Sequence, residues 1–229
     1  MTPQAFTEHI LAQAPGAVIF DLDGTLLDTE PLYSVASQRV LDQFGCIYTP
    51  ELKKRSMGGS STRSAQLVLD EYALPISASE YLTQREIHLL ELFADVGEID
   101  AAGQFVTAIK QAGIPLGLAT SSHAAIRDLK LGDRPWADFF DVVISGDHPY
   151  LSRSKPDPDI FLLCADQLQV APQHCIAFED SPNGVEAAKR AEMQVCALLS
   201  PYVDSQDLSR ADYIFSSYRD LCAFISNWS

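Results

Sequence analysis

The sequence predicts an α/β fold in which a parallel sheet is interrupted by an inserted segment of helices. Two observations support this prediction. From residue 103 onward, short apolar runs alternate with helical patterns, which is typical of parallel strands joined by crossover helices. Residues 31 to about 95, by contrast, contain helical patterns and no convincing strand. We therefore expect a sheet-containing core and a helical insertion that follows its first strand.

The first strand is predicted over residues 18–20, an apolar run that leads into Asp21 and Asp23. Gly24 then allows the backbone to turn sharply. Ligand sites in open parallel sheets lie just beyond the carboxyl ends of strands. Two carboxylates one residue apart repel each other, and a cation that prefers oxygen ligands, such as Mg2+, relieves the repulsion. A lone pair of this kind more often marks a solvated turn, so this interpretation depends on partners elsewhere in the chain.

The inserted segment is predicted to contain about four helices. Apolar residues from Leu32 to Val40 follow helical spacing, and residues 67–69 belong to a second helix. Ser77 and Glu80 have the spacing of a capping box and open a third helix. We predict that a helical cap spans residues 30–101, and that the core consists of residues 1–29 and 102–229.

The core is expected to begin with a short helical lead-in over residues 1–15. After the cap, helices and strands alternate to the end of the chain, where a last helix is expected near residues 218–225. The later strands are predicted at residues 114–120, 140–144, 175–178, 195–199 and 213–215.

Polar residues follow three of the later segments. Thr120 and Ser121 offer hydroxyl and backbone N–H groups just before a helix, which suits a phosphate oxygen, although such residues more often cap the helix. Lys155 lies in a proline-rich loop, where a lysine is usually solvated, and here we expect its ammonium to neutralise an acidic site. Glu179 and Asp180 close another apolar strand. We expect these residues to converge on one phosphoryl group.

Together these segments resemble the four motifs of the haloacid dehalogenase-like (HAD) hydrolase superfamily in its phosphatase form. The resemblance spans nearly the whole chain and implies a Rossmann-like HAD core with an inserted α-helical cap. One departure lies at Ala191-Glu192-Met193, where many relatives have glycine, and it affects a turn rather than the chemistry. The motifs begin at Asp21, Leu118, Lys155 and Phe178.

The resemblance implies an aspartyl-phosphate mechanism. Asp21 would be the nucleophile, and Asp23 the general acid that protonates the leaving oxygen and later activates water. Lys155 would neutralise the nucleophile and the charge that develops during transfer. Thr120 and Ser121 would bind the phosphate.

The resemblance also implies a bound Mg2+ ion. Asp21 and Asp180 would be direct ligands, and Asp23 would contribute its backbone carbonyl. Three roles stay open for Glu179: a direct metal ligand, a residue that supports the ligands without touching the metal, or a partner for Lys155.

The expected activity is Mg2+-dependent hydrolysis of a small phosphomonoester, either a sugar phosphate or a nucleoside monophosphate. Segments of the cap and of the motifs are similar to the pseudouridine-5′-phosphate phosphatase branch, which makes that nucleotide one candidate substrate. Met57 and Arg63 in the cap are candidates for substrate contact. His123 is a candidate for phosphate contact, and an ordinary exposed histidine is an equally good interpretation.

Two alternatives remain open at this point. A phosphosugar mutase similar to β-phosphoglucomutase is disfavoured by Tyr33, because the mutase relatives carry a histidine at the matching place. A catalytically silent binding protein is disfavoured by the intact set of motif residues, although fold alone does not fix function. The dehalogenase branch needs no metal, so Asp23 and Asp180 argue against it.

Charge and cysteine content argue against further classes of binding partner and of cellular location. The chain has 229 residues and a net charge of −15, which argues against nucleic acid and anionic membranes as partners. Five widely spaced cysteines indicate buried thiols in a reduced compartment. No signal peptide or bilayer-spanning run is evident, so we expect a cytoplasmic protein, monomeric or weakly dimeric, that acts on a small phosphorylated metabolite.

Overall fold

The computed structural model describes residues 14–56 and 61–225, which divide into two compact units. Asp28–Val96 form one unit, and the described residues before and after this range form the other. The cap boundaries at residues 30 and 101 stay a prediction. The expected lead-in helix falls, up to residue 13, outside the described residues.

A six-stranded parallel sheet forms the centre of the larger unit, as the sequence predicts. Its strand order is β3-β2-β1-β4-β5-β6, so the chain moves outward on one side of β1 and then returns to build the other side. β1 and β4 are therefore neighbours at the point where the order reverses. The strands are β1 (Ala17–Phe20), β2 (Leu116–Ala119), β3 (Val142–Ile144), β4 (Cys175–Glu179), β5 (Gln194–Leu198) and β6 (Tyr213–Phe215).

Two strands are shorter than predicted. β2 begins at Leu116 instead of residue 114, and β3 begins at Val142 instead of residue 140. The Asp141 carboxylate accepts a hydrogen bond from the Leu116 N–H at 2.9 Å. This side chain takes a backbone donor that pairing between the two strands would otherwise use. A short 3-10 turn, Ala137–Phe139, also precedes β3 and occupies the chain up to that point.

Nine helices lie among the described residues, four of them in the smaller unit. Those four are α1 (Glu30–Asp42), α2 (Pro50–Ser56), α3 (Ser61–Tyr72) and α4 (Ala78–Phe93). The remaining five belong to the sheet unit: α5 (Ala102–Gln111), α6 (Ala124–Leu131), α7 (Asp159–Gln167), α8 (Pro182–Arg190) and α9 (Tyr218–Ile225). None of these helices combines the length and the apolar character needed to cross a bilayer.

The smaller unit is all-helical over its described residues, which confirms the predicted helical insertion. Its helices share a small apolar core that includes Val40, Leu52 and Tyr81. α4 begins with the predicted capping box: the Ser77 hydroxyl accepts from the Glu80 N–H at 3.2 Å, and the Glu80 carboxylate accepts from the Ser77 N–H at 2.8 Å. This reciprocal pair satisfies backbone donors at the helix start.

Both faces of the sheet are covered, which explains why its strands are apolar throughout. On one face, Ala17 and Ile19 pack with α7 and α8 in a single buried cluster. On the other face lies an aromatic cluster in which the rings of Phe20 and Phe178 stack at 4.8 Å between centroids. Phe105 of α5 and Tyr218 of α9 pack against these rings. Polar groups are consequently confined to the ends of the strands.

The end of α8 adopts the conformation that glycine favours, although no glycine is present there. Glu192 has a positive φ of 63°. The Met193 N–H donates to the Ala188 carbonyl and the Glu192 N–H donates to the Lys189 carbonyl, which together form a Schellman motif. At this turn the resemblance predicts a glycine, and the chain adopts the left-handed conformation with Glu192 in its place.

We expect Glu192→Gly to stabilise the protein by about 0.5–1 kcal/mol. A left-handed residue with a side chain costs about 1–2 kcal/mol, and glycine gives back part of that gain as backbone entropy. Thermal or urea denaturation measures the difference. Glu192→Ala is the matched control, since it removes the exposed contact with Gln173 and keeps the strain. A glycine variant no more stable than the alanine variant would contradict the assignment of strain to this residue.

Candidate active site

Acidic residues meet where β1 and β4 end. Phe20 and Phe178 are opposite each other in the paired strands, and the Asp21 N–H donates to the Phe178 carbonyl at 2.9 Å. Asp21 therefore comes to lie beside Glu179 and Asp180. One carboxylate oxygen from each of these three buried residues lies within 4.8 Å of the others.

Two glycines make room for this acidic cluster. Gly24 has a φ of +79°, and a Cβ atom there would lie 2.1 Å from Asp180 Oδ2. A Cβ atom at Gly184 would lie 1.7 Å from Glu179 Oε1. Both distances are far below van der Waals contact, so each carboxylate occupies space that only glycine leaves open.

Lys155 brings a third segment to the same place. Its Nζ donates to Asp21 Oδ1 at 2.6 Å, to Glu179 Oε1 at 2.6 Å and to the Ala119 carbonyl at 3.1 Å. Its side chain is only 7% exposed. The ammonium thus joins the carboxyl ends of β1, β2 and β4 to the loop that precedes α7.

Glu179 is the partner of Lys155, which was one of three roles left open by the sequence. Its second oxygen, Oε2, accepts from the N–H groups of Asp180 and Ser181 and from the Ser181 hydroxyl, each at 3.0 Å. Both carboxylate oxygens therefore have protein donors. A direct contact between Glu179 and a metal ion stays a prediction.

Asp180 is held from the turn after β1. The Thr25 hydroxyl donates to Asp180 Oδ1 at 3.0 Å, and the Thr25 carbonyl accepts from the hydroxyl of Tyr218 at 3.1 Å. Tyr218 belongs to the aromatic cluster beneath the sheet edge, so the position of Asp180 is coupled to the packing of the core.

The Asp23 side chain lies apart from the acidic cluster, with different partners. Its Oδ1 accepts from Lys130 Nζ at 2.5 Å, and its Oδ2 accepts from the Ser122 hydroxyl at 2.8 Å. Contact with a metal through the Asp23 backbone carbonyl stays a prediction. The sequence analysis did not identify Lys130 or the contact of Ser122. The available signal was a lysine four residues after Ile126, where an amphipathic helix ordinarily has an apolar residue.

The predicted phosphate-binding residues follow β2. Thr120 is buried, donates its N–H to the Ile144 carbonyl, and accepts from the Ser122 N–H at 3.1 Å through its hydroxyl oxygen. Ser121 is exposed, as is His123, which is the N-cap of α6. Phosphate binding by these residues stays a prediction, with Thr120 adjacent to the Ala119 carbonyl that contacts Lys155.

Three cap residues were singled out by the sequence. The Tyr33 ring packs edge-on against Phe93 at 5.9 Å, and the Arg85 guanidinium lies 5.8 Å from the centre of the same ring. Arg63 is exposed on α3. Met57 lies outside the described residues, and no contact with substrate is assigned to any of the three.

Burial dominates the electrostatics of the cluster. It raises the pKa of Asp21 to about 7; Lys155 opposes this shift, and the carboxylates of Glu179 and Asp23 add to it. Burial alone would lower the pKa of Lys155, but the carboxylates of Asp21 and Glu179 outweigh it and raise that pKa above its ordinary value. Lys155 is therefore an ammonium, and the carboxylates of Asp21 and Glu179 share it.

This donor set fits a hard divalent cation. The cluster offers carboxylate oxygens and no sulfur or imidazole ligand, which is the preference of Mg2+. Three carboxylates with one ammonium also leave negative charge that a divalent ion would neutralise. Asp21 and Asp180 are the residues that would hold it.

Known proteins are similar to this chain in sequence and in fold. A family described as haloacid dehalogenase-like hydrolases matches residues 18–198, and the chain belongs to that family. A protein named "Probable pseudouridine-5'-phosphatase" from Drosophila melanogaster is 35% identical over 206 residues, which cover 88% of this chain and 89% of that protein. The "Phosphorylated carbohydrates phosphatase" of Thermotoga maritima is 37% identical over 184 residues, covering 78% and 82%.

The fold comparison agrees with this assignment. A haloacid dehalogenase-like protein of unknown function from Agrobacterium tumefaciens superposes with a TM-score of 0.78 at 29% identity, covering 92% of this chain and 97% of that one. The family match and the relatives named as phosphatases make the chain a phosphatase of this family, a phosphoric monoester hydrolase.

We expect Mg2+ to raise the thermal midpoint of the metal-free protein, with an apparent affinity about tenfold higher at pH 8 than at pH 6. Protons compete with the metal for Asp21, whose pKa is raised to about 7 in the metal-free site, so fewer metal-free molecules are ready to bind at the lower pH. Thermal denaturation across a Mg2+ titration at each pH measures this.

Asp180→Asn is the control for this titration, because it removes one charged ligand and leaves Asp21 unchanged. Its midpoint should respond to Mg2+ only at much higher concentration. An unchanged response in this variant, or equal affinities at both pH values in the parent, would contradict the site.

Proposed function

We propose that this phosphatase requires Mg2+ and hydrolyses a sugar phosphate or nucleoside monophosphate through an aspartyl-phosphate on Asp21. The observation that carries the proposal is the placement of Asp21: a buried carboxylate at a strand end, 2.6 Å from a buried ammonium and clustered with two further carboxylates. A bound Mg2+ would polarise the phosphoryl group and offset the charge of the cluster.

In the first step, an Asp21 carboxylate oxygen attacks phosphorus and the bond to the leaving oxygen breaks. Asp23 donates its proton to that oxygen, so the product leaves as an alcohol. Lys155, held against Asp21, keeps the attacking carboxylate aligned and limits the build-up of negative charge. The hydroxyl of Thr120, at the end of β2, is the proposed donor to a phosphoryl oxygen.

In the second step, Asp23 takes a proton from water, and the water oxygen attacks the phosphorus of the aspartyl-phosphate. The bond between phosphorus and Asp21 breaks, which releases inorganic phosphate and regenerates both carboxyl groups. Splitting one displacement into two lets the same pair of aspartates serve both halves of the reaction.

The substrate class follows from the names of the relatives and from the acid at Asp23. One relative is named for a nucleoside 5′-phosphate and the other for phosphorylated carbohydrates. Both substrates release a sugar hydroxyl, whose alkoxide is a poor leaving group that needs protonation. The expected cytoplasmic location belongs to this proposal and is supported by five free thiols.

A screen of phosphorylated metabolites with Mg2+, using released inorganic phosphate as the readout, tests the substrate class. We expect pentose, hexose and nucleoside monophosphates to lead the ranking. Conversion of β-glucose 1-phosphate to an isomer without phosphate release would instead indicate a mutase. Absence of hydrolysis for every metabolite and for 4-nitrophenyl phosphate would indicate a non-catalytic protein.

We expect Asp21→Asn to lower phosphate release at least about a thousandfold, because an amide is a poor nucleophile. Asparagine has nearly the same shape and can still accept a hydrogen bond from Lys155, so the thermal midpoint should stay close to that of the parent. Substantial residual turnover in a folded variant would refute the nucleophile assignment.

We expect Asp23→Ala to lower kcat/KM about 100-fold or more for an alkyl phosphate, and much less for 4-nitrophenyl phosphate. The nitrophenolate leaves readily without a proton, whereas the alkoxide does not. Steady-state kinetics with both substrates provides the comparison. An equal loss for the two leaving groups would count against Asp23 as the acid.

A further inference from the structure

A buried lysine lies beneath the proposed general acid. The Lys130 side chain is 1% exposed, which is rare for a lysine, and its Nζ lies 2.5 Å from Asp23 Oδ1. The same Nζ donates to the Ser122 hydroxyl at 3.0 Å, and that hydroxyl donates to Asp23 Oδ2 at 2.8 Å. Lysine, serine and aspartate thus form a closed triangle of hydrogen bonds.

This triangle fixes the orientation of the Asp23 carboxylate. One donor engages each carboxylate oxygen, so rotation of the carboxylate would break a charge-assisted bond on one side or the other. Each oxygen keeps a second lone pair, which remains able to carry or accept a proton. The Asp23 side chain is 26% exposed, so part of its carboxylate is accessible to solvent, whereas Lys130 is buried.

The backbone of Lys130 is held in place at the end of α6. The Arg134 guanidinium donates to the carbonyls of Lys130 and Leu131 at 2.7 and 2.9 Å. These bonds fix the backbone from which the lysine side chain extends. Burying an ammonium costs free energy that a surface pair would not, and a well-packed apolar residue would fill the same space more cheaply. The cost points to a role beyond packing.

We propose that Lys130, together with Ser122, is a positioning residue that holds Asp23 in the orientation required for proton transfer to and from the substrate. The inference rests on the proposed function, since it gives Asp23 the role of acid and base. It assigns different tasks to the two buried lysines: Lys155 serves the nucleophile, and Lys130 serves the proton donor.

The test compares kcat/KM for an alkyl phosphate, such as a hexose phosphate, with kcat/KM for 4-nitrophenyl phosphate. Lys130→Met keeps the side-chain length and removes the charge, and the partly exposed Asp23 carboxylate can be solvated by water. We expect a loss of about 10- to 100-fold for the alkyl phosphate and less than about threefold for the aryl phosphate.

A double-mutant cycle distinguishes positioning from a general structural effect. Once Asp23 is alanine, adding Lys130→Met should change kcat/KM by no more than about twofold, because no acid remains to be positioned. The Mg2+ concentration that half-saturates the thermal shift should be unchanged in Lys130→Met. Lys189→Met is the matched control: its lysine forms an ion pair with Asp212 at 2.8 Å away from the site, and both substrates should be turned over normally.

Three results would overturn the inference while leaving the proposed function intact: equal losses for both substrates, a large further loss in the Asp23→Ala background, or activity like that of the parent. If Lys130→Met does not fold, Ser122→Ala carries the same test, and an equal effect on both substrates would overturn the inference. A parent protein that hydrolyses neither substrate overturns the proposed function and this inference together.

Discussion

One buried ammonium holds together the strand ends on which the site is built. Lys155 contacts the carboxylates that follow β1 and β4 and the last carbonyl of β2. Removal of such a cation leaves like charges unpaired in a buried place, which typically costs about 3–5 kcal/mol. The geometry of Asp21 therefore depends on a residue 134 positions away in sequence. The position of Asp21 and the local stability of these strand ends therefore both depend on Lys155.

The rest of the site can be understood as the way a strongly acidic protein accommodates an anionic substrate. The chain carries a net charge of −15, so its average field repels phosphate. Two buried lysines offset part of that field locally, and the divalent cation proposed for the acidic cluster would reverse it. Gly24 and Gly184 serve the same end sterically, because they leave the space into which the carboxylates of Asp180 and Glu179 fit. The polar groups are concentrated at one edge of a sheet whose two faces are apolar.

The sequence predicted the order of strands and helices well because each signal is local. Apolar runs mark β1 and β4, the Ser77–Glu80 spacing marks the start of α4, and alternation of the two patterns requires a parallel sheet. The strand limits at residues 114 and 140 were wrong because a side chain, Asp141, competes for the backbone N–H of Leu116. This contact joins residues 25 positions apart, so the local sequence around either one does not predict it.

The candidate site was predictable to the extent that its residues lie in motifs. Asp21, Lys155 and Asp180 are named by short patterns, and the sheet topology brings them together. Lys130 has no such pattern, since it lies within an ordinary helix and becomes significant only because α6 directs it beneath Asp23. Glu179 shows the same limit in another form. The sequence left three roles open for Glu179, and the structure shows one of them, the contact with Lys155, which lies 24 positions away in sequence.

The division of cations between the two aspartates has a physical reason. The two proposed roles differ, because Asp21 would attack phosphorus as a carboxylate while Asp23 would carry and then recover a proton. A shared counter-ion would couple the two groups. In this structure Asp21 bonds to Lys155 and Asp23 bonds to Lys130, and the two lysines reach them from different segments, the loop before α7 and the end of α6. Separate anchors allow one short turn to present two carboxyl groups of the same chemical type in two different environments.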